Sequence, residues 1–134
     1  VSEFHVVEVG FKDEGVLIQS LKEMGYNPQV HKDAVSLHGY RGDKRKQKAH
    51  IVIPRSQVGG MSNDVGFERV KKGFVLHASA FDSPWRKGVK IKQLNKSYSE
   101  NKLRKTVNSI SSYNITDRKE LENGKIEIHI RVTN

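Results

Sequence analysis

Ile126, Ile128, Ile130 and Val132 alternate with Lys125, Glu127, His129 and Arg131. A period of two predicts a half-buried strand, with Asn123-Gly124 as the turn before it. The valine-rich run over residues 4–11 predicts a second strand. Behind it, Asp13 is suited to cap a helix whose apolar positions Leu17, Leu21 and Met24 follow helical spacing, and Gly25 supplies the stop. Asn27-Pro28 signals a turn; Val30 and then residues 35–40 read as strand, interrupted by the charged Lys32-Asp33. Residues 49–53 form a short apolar strand closed by Pro54, and residues 58–63 have the composition of a mobile loop. Residues 65–70 and 74–80 flank Lys71-Lys72-Gly73, the pattern of a hairpin with glycine at the bend.

After Ser83-Pro84-Trp85, residues 89–111 read as a long helix with two apolar stripes. Ile91, Leu94 and Tyr98 share one face, and Leu103, Val107 and Ile110 lie about 140° away at 100° per residue. A bend or a break near Ser99-Glu100-Asn101 would bring both stripes onto one core. Lys92 and Lys96 point away from the first stripe. The order strand, helix, antiparallel strands, helix, strand predicts an α+β fold: an antiparallel sheet with two helices packed on one face. No repeat or linker divides the chain, so residues 1–134 are expected to form a single compact domain.

Composition narrows the chemistry. The 134 residues contain no cysteine, which excludes disulfides, iron-sulfur clusters and thiolate zinc sites and agrees with a reducing, cytoplasmic location. Apolar runs of only a few residues predict no membrane span, and the opening residues lack the pattern of a secretory signal. The net charge of +9 is concentrated in two blocks. Residues 34–63 carry six basic groups and one acidic, and residues 86–105 carry eight and one. The first block centres on Arg41, Lys44, Arg45, Lys46 and Lys48; the second includes Lys90, Lys92 and Lys96. Concentration of this kind, unlike even scatter, points to a polyanion partner.

Other chemistry has little local support. No two of the six histidines (His5, His31, His38, His50, His77, His129) have the helical i,i+4 spacing of a zinc-protease motif. Convergence of His5 with His129 on adjacent strands would be needed to begin a metal site. No nucleophile elbow, phosphate loop or dinucleotide fingerprint occurs, so no cofactor is expected. An Asp64 to Glu68 pairing is conceivable, although a solvated hairpin accounts for these residues. Gly39-Tyr-Arg-Gly42 combines two hinges with an aromatic and a guanidinium, a loop able to hold phosphate by backbone amides and Arg41. Lys72-Gly73-Phe74 matches the opening of the RNA-recognition-motif signature, but the aromatics expected after it are missing and a hairpin turn explains it. Tyr40, Trp85 and Tyr98 lie in or beside the basic blocks and could stack on bases; Trp85 and Tyr98 are equally suited to the core.

Taken together, Ser2-Glu-Phe4, Leu21-Lys-Glu-Met-Gly25, Gly39-Tyr-Arg-Gly42, Ile51-Val-Ile53 and Asp64-Val-Gly-Phe67 occur in the order seen in the hypothetical chloroplast reading frame 35 family. Leu94-Asn-Lys-Ser-Tyr98 and Asn123-Gly-Lys-Ile-Glu-Ile resemble its later segments. That family, found in plastids and cyanobacteria, is a domain of unknown function. The resemblance implies a small, single-domain intracellular protein with no assigned reaction. The chain departs from it in the inserted Lys44-Arg-Lys-Gln-Lys48, in its heavily basic second helix, and in Arg131-Val-Thr-Asn134, where an aromatic residue would be expected. These departures weigh against a photosynthetic role and towards a polyanion partner.

The expectation is a noncatalytic basic module that docks on RNA or on a nucleoprotein such as the ribosome. Tyr40, Arg41, Lys44, Arg45, Lys46, Lys48, Lys90, Lys92 and Lys96 would form one positive surface, giving affinity with little base specificity. Two alternatives remain: an assembly protein that binds an acidic partner, and a small enzyme with a histidine-lined pocket.

Overall fold

The computed structural model describes residues 4–59, 61–80 and 82–133, and of His5, Val7 and Glu8 the backbone alone. Ser2 and Glu3 of the opening motif, and Gly60 of the predicted loop, lie outside the described residues.

Five strands, β1 (Phe4–Glu8), β2 (Gln29–His38), β3 (Lys44–Ile53), β4 (Val65–Val70) and β5 (Gly73–Ser79), form an antiparallel sheet in the order β1-β5-β4-β3-β2. β2 to β5 run as a meander, and β1 pairs with the free side of β5. The chain must therefore travel from one edge of the sheet to the other between β1 and β2. Helix α1 (Glu14–Glu23) makes that crossing. The Asp13 carboxylate accepts a hydrogen bond from the Val16 amide at 3.1 Å, as a capping residue does, and Gly25 ends the helix with a φ of 97°.

The main core lies between the sheet and the helices. Val16, Leu17 and Leu21 of α1 pack with Ile51, Ile53, Val65, Phe67, Leu76 and Ala78 of the sheet. Trp85, on the single turn α3 (Ser83–Arg86), and Ile91, Leu94 and Tyr98, on helix α4 (Val89–Asn108), join the same cluster. The fold is thus the expected α+β arrangement, with the two long helices on one face. Trp85 is 1% exposed against Tyr26 and Phe67. The Tyr98 ring lies 4.6 Å from that of Phe11, so these two aromatics are core residues and not base-stacking platforms.

α4 is continuous from Val89 to Asn108, so no break occurs near residues 99–101. Asn101 occupies the core-facing position, where its side-chain amide donates to the Ser20 hydroxyl at 3.0 Å and to Glu23 at 2.9 Å. The second apolar stripe has its own partner: Leu103 lines a groove with Ile126 of a separate two-stranded sheet, β6 (Tyr113–Glu120) and β7 (Ile126–Val132). β6 has no clear alternation and was not legible as a strand. Ile126 and Ile128 are half-buried, whereas Ile130 and Val132 stay 38% and 58% exposed. Arg118 and Glu120 of this hairpin pair with Glu100 and Lys96 of α4.

A smaller cluster of Leu37, Ala49 and Val52, with Phe4 and Val35 against it, occupies the other face of the sheet. Cross-strand pairing fixes this assignment: Val52 pairs with Gly66 and Gly66 with His77, while Ile51, Phe67 and Leu76 form the neighbouring row beneath the helices. The cluster exists because the β2–β3 hairpin bends. Between the pairs Val30–Ile51 and Val35–Ala49, β2 advances five residues and β3 only two. Lys32-Asp33 sits in that bulge, which is why it interrupted the strand pattern. The distal arm of the hairpin then lies so close to β4 that a Cβ at Gly66 would stand 2.6 Å from the Ala49 Cβ. Glycine is required there by contact.

Residues 55–58 form a single turn, α2 (Arg55–Val58), which ends at the first residue of the predicted loop. Asn63 and Asp64 beyond it are buried. No helix among the described residues is long and apolar enough to cross a membrane.

Candidate nucleic-acid interface

The basic stretch expected to be a loop is the first half of β3. Along this strand burial alternates, with Lys44, Lys46 and Lys48 exposed and Arg45 and Gln47 half-buried between them. Side chains two apart on a strand share a face and stand ~6.8 Å from one another. The alternation sets the three lysines as a row on the side of the hairpin arm opposite to Ala49, along a stretch of strand made irregular by the register shift between the pairs Ser36–Lys48 and His38–Lys44. The cross-strand partners of Lys44 and Lys48 are His38 and Ser36, which place polar side chains beside the row. Among the described residues none of the three lysines forms an ion pair.

Arg45 does not belong to that row. Its guanidinium is turned inward, 2.7 Å from Asp43, and with Lys44, Lys46, Gln47 and Phe4 it lines a cavity of about 400 Å³. Asp43 is held below the usual carboxylate range by backbone amides, its own first, and by Arg45. A Cβ at Gly39 would stand 2.6 Å from the Arg45 guanidinium, so this glycine makes room for the pair.

The turn at the tip does not offer its amides to a phosphate. The Gly39 amide donates to the Asp43 carbonyl and the Gly42 amide to the Gly39 carbonyl, both at 2.8 Å. The turn instead presents side chains: Arg41 is exposed and its guanidinium lies 5.3 Å from the centre of the Tyr40 ring. Arg55 anchors the tip by donating to the Tyr40 carbonyl at 2.7 Å. Behind it, the buried Asp64 carboxylate accepts from the His38 and Arg55 amides, each at 2.7 Å. Asp64 thus ties the end of β2 to α2. It makes no pair with Glu68, which contacts His77 at 2.9 Å.

The second basic block is differently placed. α4 belongs to the core on the helical face, and the β2–β3 arm covers part of the other face, so the two blocks lie on opposite sides of the sheet. The helix cations are also largely engaged. Lys90 stands 5.8 Å from the centre of the Tyr26 ring, and Lys96 pairs with Glu120. Lys102 and Lys105 converge on Asp13 at 3.2 and 2.7 Å, and Arg104 reaches Glu100 at 3.0 Å. Of the three helix lysines expected in the interface, Lys92 alone is exposed without such a contact among the described residues. The single positive surface expected to unite Lys90, Lys92 and Lys96 with residues 40–48 is not formed.

Four of the described histidines have separate partners: His38 with Asp64, His77 with Glu68, His129 with Glu127, while the His50 ring accepts from the Arg69 amide; the buried His31 Nε2 has no hydrogen-bond partner among the described residues. Among the described residues no group of three His, Asp or Glu side chains is close enough to hold a metal ion. The strands carrying His5 and His129 belong to different sheets and are not neighbours. Arg55 carried no signal in the sequence and Asp64 was singled out for a different pairing, because both act on backbone groups brought near only by folding.

A family model described as a protein of unknown function, DUF1257, matches residues 20–129. No curated protein and no solved structure matches the chain.

Proposed function

Because the chain belongs to the DUF1257 family, whose function is not assigned, we propose a role from the surface itself: a noncatalytic module that docks on RNA, alone or within a nucleoprotein such as the ribosome, through the outer face of β3. One observation carries the reading. Lys44, Lys46 and Lys48 are exposed, unpaired among the described residues and carried on one strand, whereas most cations of α4 are neutralised by carboxylates or packed on an aromatic ring. Unpaired ammonium groups release counterions from a polyphosphate; groups already held by Asp13 or Glu100 have less to offer. Within the family, the motifs Gly39-Tyr-Arg-Gly42 and Asp64-Val-Gly-Phe67 favour kinship with the hypothetical chloroplast reading frame 35 proteins.

Retention on an anionic polymer across a salt series tests the proposal. Lys44→Gln, Lys46→Gln and Lys48→Gln together are expected to move elution to lower salt by more than Lys90→Gln, Lys92→Gln and Lys96→Gln together. Equal effects of the two sets would remove the hairpin arm from the interface. Affinity purification with and without nuclease then separates an RNA partner from an acidic protein, because only the former's complex disappears on digestion.

The second reading, an assembly protein, has its own support at the far end of the C-terminal hairpin. Ile110, Ile130 and Val132 are each more than a third exposed there, as apolar residues at a protein interface would be before the partner arrives.

A further inference from the structure

The β3 row also restricts what form the RNA can take. We infer that the ligand is an unpaired, extended strand laid along β3, with a base stacked at Tyr40 and Arg41; this rests on the docking proposed above and specifies its substrate.

The row is single, and the strand that carries it is irregular, with β3 advancing four residues where β2 advances two between the pairs Ser36–Lys48 and His38–Lys44. The phosphates of a duplex strand follow a fixed helical path, which an irregular row does not match along its length, and a duplex adds a second backbone that needs its own cations. The other basic block lies across the sheet, and four of its six cations on α4 are held by Asp13, Glu100 or Glu120. A flexible single strand has neither difficulty, since its backbone can adjust to the comb of lysines and nothing lies on its far side.

The end of the row supplies what an unpaired base requires. Tyr40 is half-buried and carries the Arg41 guanidinium over its ring, and the tip is pinned by the bond from Arg55 to the Tyr40 carbonyl. Aromatic faces and guanidinium planes are the surfaces on which splayed bases stack, and a base held within a duplex cannot reach them. The row and the platform belong to one strand and the turn leading into it, so their spacing is set by the backbone.

The test is fluorescence anisotropy with a labelled RNA of about 16 nucleotides, long enough for one such site, free and annealed to its complement. The free strand is expected to bind more tightly than the duplex. Its affinity should fall about 20-fold between about 50 and 200 mM salt, from ~0.7 counterion released at each of three contacts. Lys44→Gln, Lys46→Gln and Lys48→Gln together should flatten that dependence, whereas Tyr40→Ala should weaken binding about fivefold or more and leave the slope unchanged. Equal or tighter binding of the duplex, lost in the triple variant, overturns the single-strand inference and leaves docking through β3 standing. Single-strand binding indifferent to the triple variant overturns the placement on β3. Failure of the wild-type protein to bind either RNA overturns both.

Discussion

Asp13 and Lys105 are 92 residues apart in the chain, and their charged groups meet at 2.7 Å. The same carboxylate caps α1 through the Val16 amide and receives Lys102 at 3.2 Å. One side chain therefore fixes the start of α1 and locks α4 against it.

This arrangement has a pH signature. The hydrogen bond from Lys105, the Val16 amide and Lys102 hold the Asp13 carboxyl at about 2, against an ordinary 3.8. A carboxyl whose pKa is lower in the folded than in the unfolded state stabilises fully above the unfolded value and loses that contribution as pH falls through the folded one. Thermal melts should therefore show Asp13→Ala less stable than wild type at neutral pH by ~1–2 kcal/mol, a range set by cap loss and exposed ion pairs. The gap should close as the pH drops from 3.8 towards about 2. A gap that persists at the acid end would mean that the carboxylate is not its source.

Tyr98 supports the same junction from below. Its hydroxyl oxygen accepts from the amides of Lys12 at 3.1 Å and Asp13 at 2.9 Å. Tyr98→Phe keeps the ring on Phe11 but leaves two backbone donors without their acceptor, a loss of ~1–3 kcal/mol. Urea denaturation should show the midpoint lowered with an unchanged slope.

Gly66 reports on the bend of the β2–β3 hairpin. Alanine there places a Cβ 2.6 Å from Ala49 and 2.7 Å from Leu37. Overpacking of this kind costs ~1–3 kcal/mol. Hydrogen exchange should show faster opening in residues 35–38 and 48–50 of Gly66→Ala, with the amides of β4 and β5 less affected. Uniform loss across the sheet would contradict a hairpin arm that packs as a separate flap.

The C-terminal hairpin is held to α4 by charge as well as by Leu103. Arg118 first, and Arg104 second, hold the Glu100 carboxyl below its ordinary value. Both contacts are short, 2.8 Å to Arg118 and 3.0 Å to Arg104, and both arginines are about a third exposed. Glu100→Gln should then cost only ~1 kcal/mol, and high salt should mimic it. Limited proteolysis is expected to cut within residues 113–132 sooner in the variant, while the main sheet stays protected.

Where local pattern and local chemistry coincide, the residues could be read without coordinates. Asp13 caps α1 and Gly25 ends it because capping involves groups three or four residues apart. The β4–β5 hairpin and β7 were legible because period two and a glycine turn are properties of contiguous residues. β6 was missed because its alternation is spoiled by a register irregularity between Ile115 and Asp117 and by its many exposed charges.

The site divides in the same way. That residues 41–48 are strongly basic is a matter of composition, and no fold could change it. Whether a cation is free or neutralised depends on which carboxylate arrives from elsewhere in the chain, as Asp13 reaches Lys102 and Lys105 and Glu120 reaches Lys96. Charge is carried by each residue alone, but Coulombic pairing acts over a few ångströms and so answers to distance in space. Local periodicity and net charge were thus settled along the chain; the division of cations between the two faces of the sheet, and the unpaired lysines on β3, came only from packing.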